Sequence, residues 1–121
     1  MSKKILVVED TEDNRQILRD LLGAGGYEMI EAHDGADGVA KASAHKPDLI
    51  LMDIQMPVMD GYEATRRIKA DPDLKAIPVI AVTSYALSGD EAKAREAGCD
   101  GYIAKPYSPR QMLAKVREIL G

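Results

Sequence analysis

The sequence has little of several features that define whole classes of protein. With one cysteine, Cys99, it can form no internal disulfide and no cysteine cluster for zinc, which suits a reducing cytoplasm. Its apolar runs are far too short to span a membrane, and residues 1–10 lack the long apolar region and cleavage site of an export signal. Its 16 Lys and Arg residues are scattered and are outnumbered by 20 Asp and Glu residues, which argues against nucleic-acid binding. We therefore expect a cytoplasmic protein with no membrane or nucleic-acid partner.

The length and composition are those of one globular domain. A chain of 121 residues, 45% hydrophobic and 30% charged, buries about two thirds of its unfolded surface on folding and needs no disulfide or structural metal. No linker, internal repeat or low-complexity stretch divides it. We expect a single domain over residues 1–121 with no output domain.

Strands and helices alternate along the predicted fold. Three apolar runs, at 5–8, 49–52 and 79–82, are continuous rather than alternating, which is typical of strands covered on both faces of a parallel sheet. Weaker runs lie at 28–32 and 101–104, and helical segments follow each run. This order predicts an α/β fold of the (βα)5 type, a doubly wound parallel sheet of five strands.

The predicted helices are recognised by apolar stripes at helical spacing and by capping residues at their starts. The stripes are Ile17, Leu18, Leu21 and Leu22 in the first helix, and Ala36, Val39, Ala40 and Ser43 in the second. The capping residues are Asp34 for the second helix, Asp60 with Glu63 for the third, Ser88 with Glu91 for the fourth, and Ser108 with Gln111 for the fifth.

Polar residues follow four of the five predicted strands. Glu9 and Asp10 follow the first, Asp53 ends the third, Thr83 the fourth and Lys105 the fifth. Taken singly, each is more simply a helix cap or a solvated turn residue. Independent caps, however, have no reason to bring three carboxylates, a hydroxyl and an ammonium to one edge, where ligands bind in such sheets. We therefore interpret these residues as one site.

The residue types at this edge suit phosphoryl transfer. Three crowded carboxylates repel one another unless a cation intervenes, and Mg²⁺ suits a few carboxylates plus a phosphate, with Mn²⁺ able to substitute. Asp53, in the middle strand, is the natural nucleophile toward phosphorus and would form an aspartyl phosphate. Asp10 and Glu9 would hold the metal, while Lys105 and Thr83 would bind phosphoryl oxygens.

These residues carry a resemblance to a known family. The matching features are Glu9-Asp10 after the first strand, Asp53 within 52–57 followed by Asp60-Gly61, Thr83, and Lys105-Pro106. Over essentially its whole length the chain resembles the receiver domain of two-component response regulators. The resemblance implies a flavodoxin-like, CheY-like fold with strand order 2-1-3-4-5. It also implies Mg²⁺-dependent phosphorylation of Asp53 by a phosphohistidine of a histidine kinase or phosphotransfer protein.

The resemblance also assigns finer roles within the site. It implies Mg²⁺ held by Asp10, Asp53 and the backbone carbonyl of Gln55, with Glu9 acting through water. It implies a cis peptide bond between Lys105 and Pro106.

Further residues are assigned to a switch and to the lifetime of the phosphate. Thr83 would move toward the phosphate and Tyr102 would turn inward, altering the surface of the fourth helix, fifth strand and fifth helix, where a downstream protein binds. Gln55 and Tyr85 occupy positions that influence how fast the phosphate is lost.

Several alternatives remain at this point. Because the chain ends after the last predicted helix, we expect a stand-alone receiver similar to the chemotaxis and cell-cycle regulators, with a preference for the cell-cycle type, acting as a monomer or weak dimer. It would be no enzyme on a separate substrate, although it catalyses its own phosphorylation and dephosphorylation. A non-switching pseudo-receiver and a receiver excised from a hybrid histidine kinase are the alternatives. A flavin or nucleotide binder is disfavoured because residues 9–12 are acidic where a glycine-rich phosphate loop is needed.

Overall fold

A computed structural model describes residues 3–54, 56, 59–83 and 90–120. These residues form five strands and five helices in strict alternation. They are β1 (Lys4–Val8), α1 (Glu12–Ala24), β2 (Glu28–Ala32), α2 (Gly35–His45), β3 (Leu49–Asp53), α3 (Gly61–Ala70), β4 (Val79–Thr83), α4 (Asp90–Ala97), β5 (Gly101–Ala104) and α5 (Pro109–Leu120). Within these described ranges, no helix combines the length and the apolar character needed to cross a membrane.

The strands form one parallel sheet in the order β2-β1-β3-β4-β5. The predicted α/β class and strand order 2-1-3-4-5 are therefore confirmed. The register pairs Val8 with Met52, Asp53 with Val82, and Thr83 with Ala104. Because all strands run the same way and end within a residue or two of one another, their carboxyl ends lie along a single edge.

Each face of the sheet has its own hydrophobic core. On one face, Leu6, Val8 and Ile50 pack with residues of α2, α3 and α4. On the other, Ile5 and Val7 pack with residues of α1 and α5. Alternate side chains of one strand thus enter different cores, which explains why residues 5–8 of β1, 49–52 of β3 and 79–82 of β4 are apolar without interruption.

Capping residues mark three helix starts as predicted. The carboxylates of Asp34 and Asp60 accept hydrogen bonds from backbone amides three residues later. Ser108 and Gln111 form a reciprocal capping box, with the Gln111 amide donating to Ser108 Oγ (3.1 Å) and the Ser108 amide donating to Gln111 Oε1 (2.8 Å). Ser88, the predicted start of α4, lies outside the described residues.

The predicted buried stripes of α1 and α2 are partly wrong. Ile17 in α1 is 54% exposed. In α2 the buried face is formed by Gly35, Gly38 and Ala42, whereas Ala36, Ala40 and Ser43 are exposed and Val39 is half-buried. The helix lies so close to β1 that a Cβ at Gly38 would come within 2.8 Å of a Val8 methyl group. Glycine has no side chain to register in a hydrophobic pattern, so the sequence could not reveal this contact face.

Candidate active site

The parallel sheet brings the predicted site residues to one edge. Glu9 and Asp10 directly follow β1, while Asp53 and Thr83 are the last residues of β3 and β4, and Lys105 follows β5. Glu9, Asp53 and Thr83 are buried, at 3%, 5% and 0% exposure, whereas Asp10 is exposed. The cleft therefore has two carboxylates in its floor and a third at its mouth.

The three carboxylates form a cluster that could hold a metal ion. One oxygen from each of Glu9, Asp10 and Asp53 can be chosen so that all three lie within 4.8 Å of one another. Lys105 Nζ lies 3.0 Å from Glu9 Oε1 and 3.6 Å from Asp53 Oδ2. The Lys105 ammonium thus lies beside the concentrated negative charge of the carboxylates.

Glu9 is held at its carboxylate and at its backbone. Its Oε1 accepts hydrogen bonds from Lys105 Nζ (3.0 Å) and Asn14 Nδ2 (3.0 Å), and its Oε2 accepts one from the Thr11 amide (3.3 Å). Its backbone carbonyl accepts a hydrogen bond from Arg15 Nη1 (2.7 Å). These contacts fix a buried, charged side chain without access to bulk water.

The pKa values of the acidic pair move in opposite directions. Burial raises the pKa of Glu9, but hydrogen bonds with Asp53, Asp10 and Lys105 outweigh it and lower the pKa to about 2. The pKa of Asp10 is raised above its ordinary value, chiefly because it shares a hydrogen bond with Glu9, and further by burial and the Glu9 charge. The charged form of Asp10 is therefore the one that the crowding disfavours, and a cation bound beside it would relieve the repulsion.

Three residues near the site were not found from the sequence. Asn14 and Arg15 contact Glu9 from the first turn of α1, and Tyr107 lines the cleft floor together with Glu9 and Asp53. Burial, followed by the charges of Glu9 and Asp53, raises the pKa of Tyr107 to about 12, so its hydroxyl stays protonated. The available signals were weak: Asn14 and Arg15 read as ordinary polar helix residues, and Tyr107 was marked only by following Lys105-Pro106.

The remaining predicted residues are placed as follows. The Lys105–Pro106 peptide bond is cis. Tyr102 lies in β5, opposite Ala81, and packs against the core that contains α3 and α4. Gln55 and Tyr85 lie outside the described residues, so their roles in metal binding and phosphate lifetime stay predictions.

The fold and site define the family. Residues 5–117 match the model of the response regulator receiver domain, and the chain belongs to that family. The polar-differentiation response regulator DivK of Brucella anthropi is 46% identical over 121 residues, which cover 100% of this chain and 98% of that protein. DivK of Brucella ovis is equally similar. The predicted resemblance to receivers, and to DivK among them, is confirmed.

Solved structures show the same architecture. The receiver domain of a sensor histidine kinase from Pseudomonas aeruginosa, with a magnesium ion coordinated in its active-site cleft, superposes with a TM-score of 0.93. It is 36% identical, and the match covers 100% of this chain and 99% of that one. Chemotaxis protein CheY4 of Vibrio cholerae superposes with a TM-score of 0.93 at 28% identity, covering 98% of this chain and 99% of that one. The CheY-like fold is therefore confirmed.

Proposed function

We propose that the protein is a phosphorelay response regulator that accepts a phosphoryl group on Asp53 in a Mg²⁺-dependent reaction. The observation that carries the proposal is the position of Asp53 at the end of the central strand, beside two further carboxylates and 3.6 Å from Lys105 Nζ. An isolated aspartate in this position would have no means of binding a phosphoryl group, whose charge is also negative. The neighbouring cation site and ammonium supply those means.

The donor set at the cleft fits Mg²⁺. Its carboxylate oxygens are hard ligands, and their small number leaves coordination positions for water and phosphate. Asp10 and Asp53 would hold the ion directly, with the Gln55 carbonyl as a further ligand and Glu9 acting through water. When bound, Mg²⁺ neutralises the carboxylates and the phosphoryl oxygens, and Mn²⁺ should substitute because it prefers the same ligands.

The transfer step follows from the placement of the side chains. A lone pair on an Asp53 oxygen forms the new O–P bond as the P–N bond of a phosphohistidine breaks. The electron pair of the broken bond returns to the imidazole nitrogen, which then takes up a proton. Lys105 pairs with one phosphoryl oxygen, and the Thr83 hydroxyl, at the end of the adjacent strand, donates to another.

The signal would pass from Thr83 to Tyr102. Both residues lie on neighbouring strands, β4 and β5, whose register places Tyr102 two pairs before Thr83. Movement of Thr83 toward the phosphate would make room for Tyr102 to turn inward and would change the surface of α4, β5 and α5. A downstream protein would bind that surface, and phosphate can shift the equilibrium only by its differential affinity for the two states.

The partners would be a phosphohistidine donor, from a histidine kinase or phosphotransfer protein, and a downstream target. The 46% identity to DivK, against 36% to the receiver domain of a sensor histidine kinase, supports a DivK-like regulator over a receiver carried within a kinase. The chain would then act on no separate substrate and would catalyse only its own phosphorylation and dephosphorylation. A pseudo-receiver that binds a partner without phosphorylation is the competing function.

The test is the intact mass of the protein after incubation with acetyl phosphate and Mg²⁺. We expect a gain of one phosphoryl group that disappears when the metal is omitted and in the variant Asp53→Asn. Asp73→Asn, which alters an exposed aspartate outside the site, is the matched control and should be phosphorylated like the wild type.

Two outcomes would contradict the proposal. A phosphoryl group that persists in Asp53→Asn would place the modification elsewhere. If the wild type gains no mass while folded and able to bind Mg²⁺, a phosphorylated histidine phosphotransfer protein should be tried as the donor. Failure with that donor too would establish the pseudo-receiver.

A further inference from the structure

Glu9 Oε1 is shared by two donors of different character. Lys105 Nζ and Asn14 Nδ2 both lie 3.0 Å from it, one carrying a full positive charge and the other neutral. Lys105 also lies 3.6 Å from Asp53 Oδ2, so the ammonium is divided between two carboxylates. How strongly Glu9 holds Lys105 therefore depends on what else holds Glu9.

The start of α1 is arranged around Glu9. A polar side chain in the first turn of a helix commonly reaches back to the amide at the helix start. Asn14, in the third position of α1, instead donates to the Glu9 carboxylate, while the Thr11 amide donates to its second oxygen. Arg15, the next residue, donates to the Glu9 carbonyl. The first turn of α1 thus donates hydrogen bonds to both the side chain and the backbone of Glu9.

A neutral donor at this place has a specific effect. Glu9 is nearly fully buried, so an oxygen that loses a hydrogen bond is not readily compensated by water. Without the Asn14 amide, Oε1 would lose one hydrogen bond and would keep the one from Lys105. The Glu9 side chain would then be less ordered and would draw the ammonium away from Asp53.

We propose that Asn14 is a positioning residue of this site, whose amide orients the Glu9 carboxylate and thereby leaves Lys105 available to Asp53. The inference rests on the proposed function, in which Glu9 contributes to the cation site and Lys105 to phosphoryl binding. Asn14 acts through Glu9 and touches no reacting atom.

The first measurement is the affinity for Mg²⁺, determined by titrating the metal-free protein with Mg²⁺ in a calorimeter. Loss of a residue that orients a metal-site carboxylate typically weakens metal binding 10- to 100-fold, and for Asn14→Ala we expect about 10-fold. Phosphorylation of Asp53 by acetyl phosphate at saturating Mg²⁺ should slow as well. Gln16→Ala, an exposed change in the same helix, should match the wild type in both measurements.

A double-mutant cycle distinguishes positioning from a merely structural role. If Asn14 acts through Glu9, then Asn14→Ala should change Mg²⁺ affinity by less than about twofold in a Glu9→Ala background. Glu9→Met, which keeps a long side chain but has no oxygen to accept the Asn14 hydrogen bond, serves as the background if Glu9→Ala does not fold. An Asn14→Ala effect of undiminished size in that background would overturn the proposal, as would wild-type affinity in the single variant.

Asn14→Asp adds a second readout that needs no metal. It keeps the side-chain shape but sets a carboxylate where the amide donor stood, 3.0 Å from Glu9 Oε1. Without metal, Asn14→Asp should melt at a lower temperature than Asn14→Ala, because the new carboxylate repels Glu9. A melting temperature equal to or above that of Asn14→Ala would contradict the inference. Failure of the proposed function is separately visible, because the wild type itself would then not be phosphorylated.

Discussion

Replacing Gly61 with alanine tests how tightly the site is built. Gly61 is the first residue of α3 and is buried. A Cβ at this position would lie 2.3 Å from the Asp53 carbonyl oxygen and 2.9 Å from both Ile54 Cα and Ile54 Cδ1. Two of these three atoms belong to the backbone, which cannot move aside as a side chain can. The added methyl group must therefore displace the residues around Asp53 or the start of α3.

The expected cost can be worked from the geometry. Overpacking a rigid interior typically costs 1–3 kcal/mol, and contact with backbone atoms places Gly61→Ala near the upper end, about 3 kcal/mol. Unfolding entropy scales with length and is about 0.25 kcal/mol/K for 121 residues. The melting temperature should therefore fall by about 12 °C. Phosphorylation should also slow, because the strain falls on the backbone of Asp53 itself.

Gly23→Ala is the matched control, since it adds the same methyl group to another helix. A Cβ at Gly23, an exposed position in α1, would meet no atom within 4 Å. This variant should be more stable than the wild type by about 0.5–1 kcal/mol, because alanine loses less backbone entropy in a helix. Thermal and denaturant unfolding of metal-free protein, followed by circular dichroism, should give changes of opposite sign for the two variants.

Two results would refute this reasoning. A Gly61→Ala protein within about 1 kcal/mol of the wild type would show that the segment before α3 moves easily and does not brace Asp53. A Gly23→Ala protein that loses stability would show that the cost at Gly61 is not explained by local contact.

Three further predictions concern charge and capping. Asp10→Asn should raise the melting temperature of the metal-free protein and weaken Mg²⁺ binding in calorimetry, because it removes one of three crowded charges. Since the pKa of Asp10 is raised in the folded protein, the increase in melting temperature should be larger at neutral pH than near about pH 4, and an equal increase at both would count against the argument. Glu9 has a lowered pKa, so its stabilising contribution is present above its ordinary pKa of 4.5 and is lost as the pH falls toward about 2. Glu9→Gln should therefore lose less stability than the wild type over this pH range in denaturant unfolding, and an equal loss in both proteins would contradict the assignment. Ser108→Ala should cost about 1 kcal/mol in denaturant unfolding, because its capping bond to the Gln111 amide is lost, and an unchanged midpoint would show that the box is dispensable.

Local sequence signals predicted most of the framework. The buried strands are short runs of apolar residues, and α2, α3 and α5 begin where a capping side chain accepts a hydrogen bond from a backbone amide. Both signals depend on residues close together in the chain, as the Ser108–Gln111 box illustrates. The parallel topology followed because helices between successive strands leave few alternatives.

Sequence signals failed to predict which faces of α1 and α2 are buried, because those faces are set by contacts with segments distant in the chain. The buried face of α2 is formed by Ala42 and by Gly35 and Gly38, and the two glycines are buried because β1 and Met59 lie close to them. Ile17 interrupts no pattern but faces outward, since α1 lies on the sheet along Leu18, Leu21 and Leu22. Neither outcome is decided by residues within the helix concerned.

The sequence by itself determined which chemical groups arrive at the edge of the sheet. Four of the five strands end in, or are followed by, a polar residue of the site, so the acids, the hydroxyl and the ammonium are encoded one by one along the chain. Only the tertiary structure decided how they share charge: that Lys105 lies nearer Glu9 than Asp53, and that Asn14 competes for the same oxygen. The physical reason is that electrostatic and hydrogen-bond energies change over fractions of an ångström, and residues 96 positions apart reach that separation only when the sheet has formed.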